Sequence, residues 1–282
     1  MRRLALWLDY DGGRFGGFQR LTPRGPLKLG TGNPRLWKPR ETVQEELECK
    51  LSLILGEPVK VAGSGRTDRG VHASGQVVSC DTTCSKELGK ILRSLEAILA
   101  PGIRVRSGRW VESSFHPRFS ARERVYHYYV WPGGPEKSPW LDSFCWMLDT
   151  PLNLEAMQRA ARMLLGAHDF SAYTRSPEPG ESKVRELRAF EVRPGVLASP
   201  LSVGPWAGIS QMVCLEVRAN AFLRRMVRQL VANLVEVGRG RWPESRPHEI
   251  LLSKDATLGA PPAPPQGLFL VHIEYEGALQ SP

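Results

Sequence analysis

Asp68 is the residue around which chemistry can be built. It lies in the stretch Gly63-Ser64-Gly65-Arg66-Thr67-Asp68-Arg69-Gly70-Val71-His72-Ala73, which combines three glycines, two arginines, one carboxylate and one histidine. Nearby positive charge favours the charged form of a carboxylate. An aspartate between Arg66 and Arg69 is therefore an anionic nucleophile or base in a cationic surround. Glycines allow positive φ or close approach of backbone to a ligand. The flanks, Val59-Lys60-Val61-Ala62 and Gln76-Val77-Val78-Ser79-Cys80, read as short strands. A connection between strands usually takes about two to five residues; this one is longer and spends its length on charged groups. It is not a P-loop, because no Gly-Lys-Ser/Thr follows Gly65. Nor is it a dinucleotide fingerprint, since the third glycine is missing and a strand follows. No Ser or Cys nucleophile with a placed His and acid is legible.

Two further constellations carry arginines. In Phe115-His116-Pro117-Arg118-Phe119-Ser120-Ala121-Arg122-Glu123-Arg124-Val125-Tyr126-His127-Tyr128-Tyr129, arginines interleave with aromatics and lead into a strand. Aromatic faces on strands stack bases and arginines hold phosphates. Alternation puts Tyr126 and Tyr128 on one face and Tyr129 on the other, so at least one of them is structural. In Asn220-Ala221-Phe222-Leu223-Arg224-Arg225-Met226-Val227-Arg228-Gln229, a helix capped by Asn220 would place Arg224 and Arg228 in one row. Like charges at that spacing cost about 0.2–0.5 kcal/mol, which points to an anion nearby. Arg228 sits beside Val227, Val231 and Ala232, and a partly buried guanidinium needs a carboxylate or phosphate.

The elements that must position these groups follow from periodicity. Leu4, Leu6, Leu8 and Tyr10 alternate with Arg3, Ala5, Trp7 and Asp9 as a half-buried strand. Residues 21 to 40 form a basic Pro/Gly-rich loop. Thr42-Val43-Gln44-Glu45 is a capping box opening a helix with Val43, Leu47, Leu51 and Ile54 on one face. Ser85 is an N-cap candidate for a helix through Leu88, Leu92, Leu95 and Leu99, and Ile103 to Val111 is a strand. The first half thus reads β-α-β-β-α-β, the order of the ferredoxin-like split motif. Later come strands over Val125–Trp131, Val184–Val192, Ile209–Val217 and Leu268–Tyr275. Helices are expected over Leu152–Leu165, Phe222–Val237 and Pro247–Leu252. The expected architecture is α+β: two ferredoxin-like halves, residues 1–111 and 112–282, with adjoining antiparallel sheets and a ligand cleft between them.

Composition narrows the partners. The chain of 282 residues carries a net charge of +9, which suits a polyanion, most often nucleic acid. No run of about 18 apolar residues suggests a membrane span. Met1-Arg2-Arg3 runs directly into Leu4-Ala5-Leu6-Trp7-Leu8, too short an apolar stretch for a secretory signal, so a cytoplasmic protein is expected. Cys49, Cys80, Cys84, Cys145 and Cys214 are odd in number and scattered, and only Cys80 and Cys84 are close, without a histidine at finger spacing. They read as free thiols and not as a zinc site.

Taken together, the motifs resemble the TruA family of tRNA pseudouridine synthases. The matching pieces are Tyr10-Asp11-Gly12 with Phe15, Gly17, Phe18 and Gln19; Gly65-Arg66-Thr67-Asp68 with Gly70-Val71-His72-Ala73; and Phe119-Ser120-Ala121 with Arg124 and Tyr126. Further along come Leu165-Gly166 with His168-Asp169-Phe170; Asn220-Ala221-Phe222 with Met226-Val227-Arg228; and Gly267-Leu268 with Leu270. They fall in order along nearly the whole chain. The resemblance implies two α+β halves with the active site between them, a homodimer, tRNA as partner, and no cofactor or metal. It implies that Asp68 is the catalytic aspartate and that Tyr126 stacks on the target base with a part in proton transfer. It further implies that Arg228 pairs with the aspartate and that Arg66 helps to hold the flipped nucleotide. The target would be uridine in the anticodon stem-loop. Arg69, Arg118, Arg122, Arg124, Arg224 and Arg225 are the remaining candidates for RNA contact.

The chain departs from the family pattern at several places. Arg69 stands where many members have Ala, Phe18 where Trp is usual, Pro117 where Ala is usual and Ile98 where Asn is common. The basic loop from Leu21 to Pro39 is longer than the bacterial pattern. Two other readings are an RNA-binding or RNA-folding protein without turnover, and pseudouridine formation in another RNA. A pure binder has no need of Asp68, which would repel phosphate.

Overall fold

The structure, a computed structural model, describes residues 1–20, 42–133, 141–174, 180, 182–195 and 212–276. The expected basic loop and the start of the strand expected from Ile209 lie outside the described residues. The chain forms two compact units, Met1–Arg122 together with the chain from Leu270 onward, and Glu123–Phe269.

The first unit contains β1 (Arg2–Tyr10), a 3-10 turn (Gly12–Arg14), α1 (Val43–Leu55), β2 (Ala62–Gly63), β3 (His72–Thr82), α2 (Leu88–Ile98) and β4 (Ile103–Val111). β1 lies between β3 and β4, antiparallel to both. Leu4 to Leu8 are all buried, where alternation predicts burial of one face only; Ala5 and Trp7 fill the other, with the Arg109 guanidinium 5.9 Å from the Trp7 ring. α1 opens as its capping box requires: the Thr42 side chain accepts from Glu45 N, and Gly56 closes the helix with φ +78°.

The strand expected at Val59–Ala62 shrinks to Ala62–Gly63. The reason is that α1 takes its donors: Val59 N donates to Ser52 Oγ and Val61 N to Glu48 Oε1. Glu46 serves likewise, accepting from Ala100 N at 3.2 Å while Lys50 lies 3.6 Å away. α2 begins after Glu87 without a side-chain cap, so Ser85 does not fill the role expected of it.

The second unit holds β5 (Ala121–Pro132), which starts at the boundary, then β6 (Trp146–Leu148), α3 (Leu154–Arg162), β7 (Gly166–Asp169), β8 (Val184–Pro194), β9 (Val213–Ala219), α4 (Met226–Gly238) and α5 (Arg246–Ser253). Its strands run β5-β9-β8-β7, antiparallel throughout, with β6 added parallel to β5. The last strand, β10 (Leu268–Tyr275), leaves this unit at Phe269, and from Leu270 it lies beside β3 in the first unit.

α4 starts later than its sequence suggests. Asn220 does not cap it; Asn220 Oδ1 accepts from Glu186 N and Ala221 N, tying the turn to β8. Arg225 takes the position before the helix with φ +63°. Arg224 therefore lies outside the helix and shares no helical row with Arg228. α4 is buried on nearly all sides, Arg228 and Glu236 being its only residues that are not.

Candidate active site

The loop between β2 and β3 is held from below by side chains and from both ends by backbone. Phe18 N donates to Thr67 O at 3.1 Å just before Asp68, and Gly70 N donates to Gly12 O at 3.2 Å just after it. Val71 N closes a turn onto Asp68 O at 3.1 Å. The Tyr10 hydroxyl lies 2.8 Å from Thr67 Oγ1, and Gln76 Nε2 reaches both Tyr10 OH and Gly65 O. Burial pushes the Tyr10 phenol up to about 12, so it is a neutral hydrogen-bonding group at physiological pH. The result is a loop with Asp68 half-buried and Arg66 and Arg69 exposed on either side.

His72, fully buried where β3 begins, secures the far end. Its Nδ1 lies 3.2 Å from Gly12 N and 3.3 Å from Asp11 Oδ1. One nitrogen cannot accept from the first and donate to the second at once, so the tautomer decides which contact is a hydrogen bond. In the tautomer that donates to Asp11, His72 together with Gly13 N and Arg14 holds the Asp11 carboxyl down to about 2 against the opposing effect of burial.

In the second unit, Tyr126 is buried on β5 opposite Val217, and its ring meets that of Phe222 edge-on at 5.2 Å. Tyr128 shares its face and is a core residue, fully buried with its hydroxyl donating to Pro264 O at 2.7 Å. Tyr129 points the other way, toward His127. Arg228 is half-buried on α4. Its Nε donates to Ala263 O at 2.6 Å, while Ala263 N donates to Arg228 O at 3.0 Å. This reciprocal pair ties the helix to the segment Pro261-Pro262-Ala263-Pro264-Pro265.

The other arginines divide by surroundings. Arg118, Arg122, Arg224 and Arg225 are exposed. Arg118 lies 5.9 Å from the ring of Phe119, itself 78% exposed. Arg122 pairs with Glu276. Arg124 is buried and its Nη1 donates to Asn220 O at 2.6 Å, supporting the turn before α4.

Sequence reasoning singled out the charged residues of the loop but not its supports, Tyr10, Ser64 and Gln76. The available signal was a glutamine directly before the apolar pair Val77-Val78 of β3. Among the described residues no group of three or more His, Cys, Asp or Glu is placed to hold a metal ion, and no helix is long and apolar enough to cross a membrane. All five cysteines are free thiols.

Comparison with known proteins assigns the class. A family model described as tRNA pseudouridine synthase matches residues 160–276. Proteins named tRNA pseudouridine synthase A from Burkholderia mallei (strain NCTC 10229) and Paraburkholderia phymatum are each 36% identical over 282 residues, covering 100% of this chain and 93% and 94% of their own. The protein of the same name from Cupriavidus pinatubonensis is 36% identical over 286 aligned residues, 100% of this chain and 93% of its own. The chain belongs to the tRNA pseudouridine synthase A (TruA) family.

Proposed function

We propose that this protein isomerises uridine to pseudouridine in tRNA, in the anticodon stem-loop, with Asp68 as the catalytic carboxylate. The observation that carries the reading is the Asp68 loop itself: fixed at both ends, half-buried at the carboxylate and flanked by exposed Arg66 and Arg69, in a chain similar over its full length to proteins of that name. A uridine must leave its stack before its glycosidic bond can be reached, at a cost of a few kcal/mol that is least in a loop. Exposed arginines hold the backbone meanwhile; Arg66, Arg69, Arg118, Arg122, Arg224 and Arg225 are the candidates.

The N1–C1′ bond then breaks with Asp68 as nucleophile or as stabiliser of the developing charge. The uracil turns, C5 bonds to C1′, the C5 proton leaves and N1 gains a proton. All atoms of the nucleotide are conserved. In this reading Tyr126 stacks on the base and takes part in the proton transfer. Arg228 pairs with the carboxylate and holds it aimed. The reading needs no cofactor or metal, and it includes a cytoplasmic homodimer. It also takes each unit as a ferredoxin-like half. The order β4-β1-β3, with β2 on the other side of β3, and the order β5-β9-β8 support this.

The test is pseudouridine formation on tRNA made without modifications, with the wild type and with Asp68→Asn. Turnover by the wild type, absent in Asp68→Asn with tRNA still bound, is the expected result. Binding without turnover by the wild type would mean an RNA-binding protein instead. Mapping pseudouridines in total RNA from cells with and without the protein identifies the target, and a site outside tRNA would overturn the substrate assignment.

A further inference from the structure

Gln76 lies on β3 opposite Leu8 and is fully buried. An amide taken out of water must find partners for its oxygen and its nitrogen or lose stability. Gln76 finds four, and their types fix its orientation. Its Oε1 accepts from Val77 N at 3.2 Å, and a backbone N–H can only donate. Its Nε2 donates to Gly65 O at 3.0 Å, and a carbonyl can only accept. Ser64 Oγ at 2.6 Å therefore donates to Oε1, and Tyr10 OH at 3.3 Å accepts from Nε2. The phenol also hydrogen-bonds Thr67 Oγ1 at 2.8 Å, where either hydroxyl can be the donor.

The hydrogen bonds thus link the amide to Thr67 through the Tyr10 hydroxyl. Apart from its neighbour Val77, every group at the end of this network belongs to the segment Ser64–Thr67. That segment has no regular structure beyond β2, so these bonds and the Ser64 N to Val77 O and Phe18 N to Thr67 O contacts define its shape. The next residue is Asp68. An apolar residue would serve β3 as well for packing; apart from its bond to Val77 N, the amide serves the loop.

We propose that Gln76 is a positioning residue for uridine isomerisation, setting the place of the Asp68 carboxylate through its bond to Gly65 and through Tyr10 and Thr67. This rests on the reading of Asp68 as the catalytic carboxylate. Tyr10 and Thr67 are members of the same device, and neither the amide nor the phenol needs to touch RNA. A displacement near 1 Å can cost on the order of 10²-fold in rate.

Four variants test it: Tyr10→Phe, which removes one oxygen; Thr67→Val; their double; and Gln76→Glu, which keeps the shape and removes the donors. Each is measured for its single-turnover rate with enzyme in excess over unmodified tRNA, its tRNA dissociation constant and its melting temperature. The expected result is a rate loss of about tenfold or more in each single variant, with tRNA affinity unchanged. The double variant should be no slower than the worse single, because both delete the same bond. Gln76→Glu should regain rate relative to wild type as pH falls, since a protonated carboxyl recovers one donor.

Wild-type rates in Tyr10→Phe and Thr67→Val would overturn the proposal. So would a rate loss that follows only the folded fraction and vanishes on cooling. If Gln76→Glu fails to fold, Tyr10→Phe still decides. Asp68→Asn is run beside them: turnover retained there removes the reading of Asp68, whereas its loss together with unaffected Tyr10→Phe removes only the positioning role.

Discussion

Gly17 supplies a perturbation whose two consequences can be separated. Its φ of +109° lies outside the range other residues adopt, and a Cβ built on it would stand 2.9 Å from Thr67 O and 3.2 Å from Arg69 N. In Gly17→Ala the backbone conformation alone costs about 1–3 kcal/mol of stability. The methyl must also gain room, and a backbone carbonyl is not a flexible neighbour. Ordinary contact begins at 3.4 Å, so the Thr67 carbonyl must retreat by about 0.5 Å in an interior that yields little, carrying Asp68 with it. If a misplacement of about 1 Å costs on the order of 10²-fold, half of that costs roughly tenfold in rate.

Gly56→Ala is the control. Gly56 has φ +78°, but a Cβ added there would meet nothing within 4 Å, so the variant should lose about 1–2 kcal/mol of stability and no rate. Urea unfolding gives the first quantity for both variants, and single-turnover pseudouridine formation gives the second. Equal rates in Gly17→Ala and Gly56→Ala would refute the idea that Gly17 sets the height of the Asp68 loop.

The remaining predictions concern RNA contact and acid stability. Arg69→Ala should weaken tRNA binding at low salt and reduce the slope of log affinity against log salt by about 0.7–0.9, the share of one phosphate contact. An unchanged slope in filter binding would remove Arg69 from the interface. Phe119, exposed and close to the His116 ring at 4.4 Å, should cost about 1–3 kcal/mol of tRNA affinity when changed to Ala, as a stacked base would. Its Trp variant should bind as the wild type does, and equal affinity in Phe119→Ala would exclude stacking. The Asp11 carboxyl is held at about 2 in the folded protein, below the unfolded value of about 3.9. A depressed value gives stability that is present above about pH 4 and lost as pH falls through about 2. The stability gap between wild type and Asp11→Asn in urea titrations should therefore close across that window, and a gap that stays constant would refute it.

Much of this architecture is written in local signals. Thr42 with Glu45 and Gly56 bracket α1 as capping rules require, and the strand expected over Leu268–Tyr275 has the bounds of β10, although its buried side switches midway from Leu268 and Leu270 to Ile273 and Tyr275. Errors arose where a distant group took over a local role. Val59 and Val61 read as strand, yet their donors are claimed by Ser52 and Glu48 of α1. Asn220 reads as a helix cap, but its side chain serves Glu186 on β8. β6 and β7, of 3 and 4 residues, are too short to carry a period. In the candidate site the charged residues announced themselves by type. The hydroxyl and amide groups that hold the loop come from Tyr10, Ser64, Thr67 and Gln76, and only the folded chain joins them.

The reciprocal bonds between Arg228 and Ala263 restrict how this part of the gene can drift. Ala263 is the sole residue of the run Pro261 to Pro265 that has a backbone N–H, and that N–H is the one Arg228 O accepts. Deleting or inserting one residue on either side would bring a proline to that place. The donor would vanish, and the stiff run would offer no slack to restore it. Length changes should therefore be absent from this segment among active relatives. Substitution at 263 should be open to any small residue except proline, since the site is buried and the contacts there are made by the main chain.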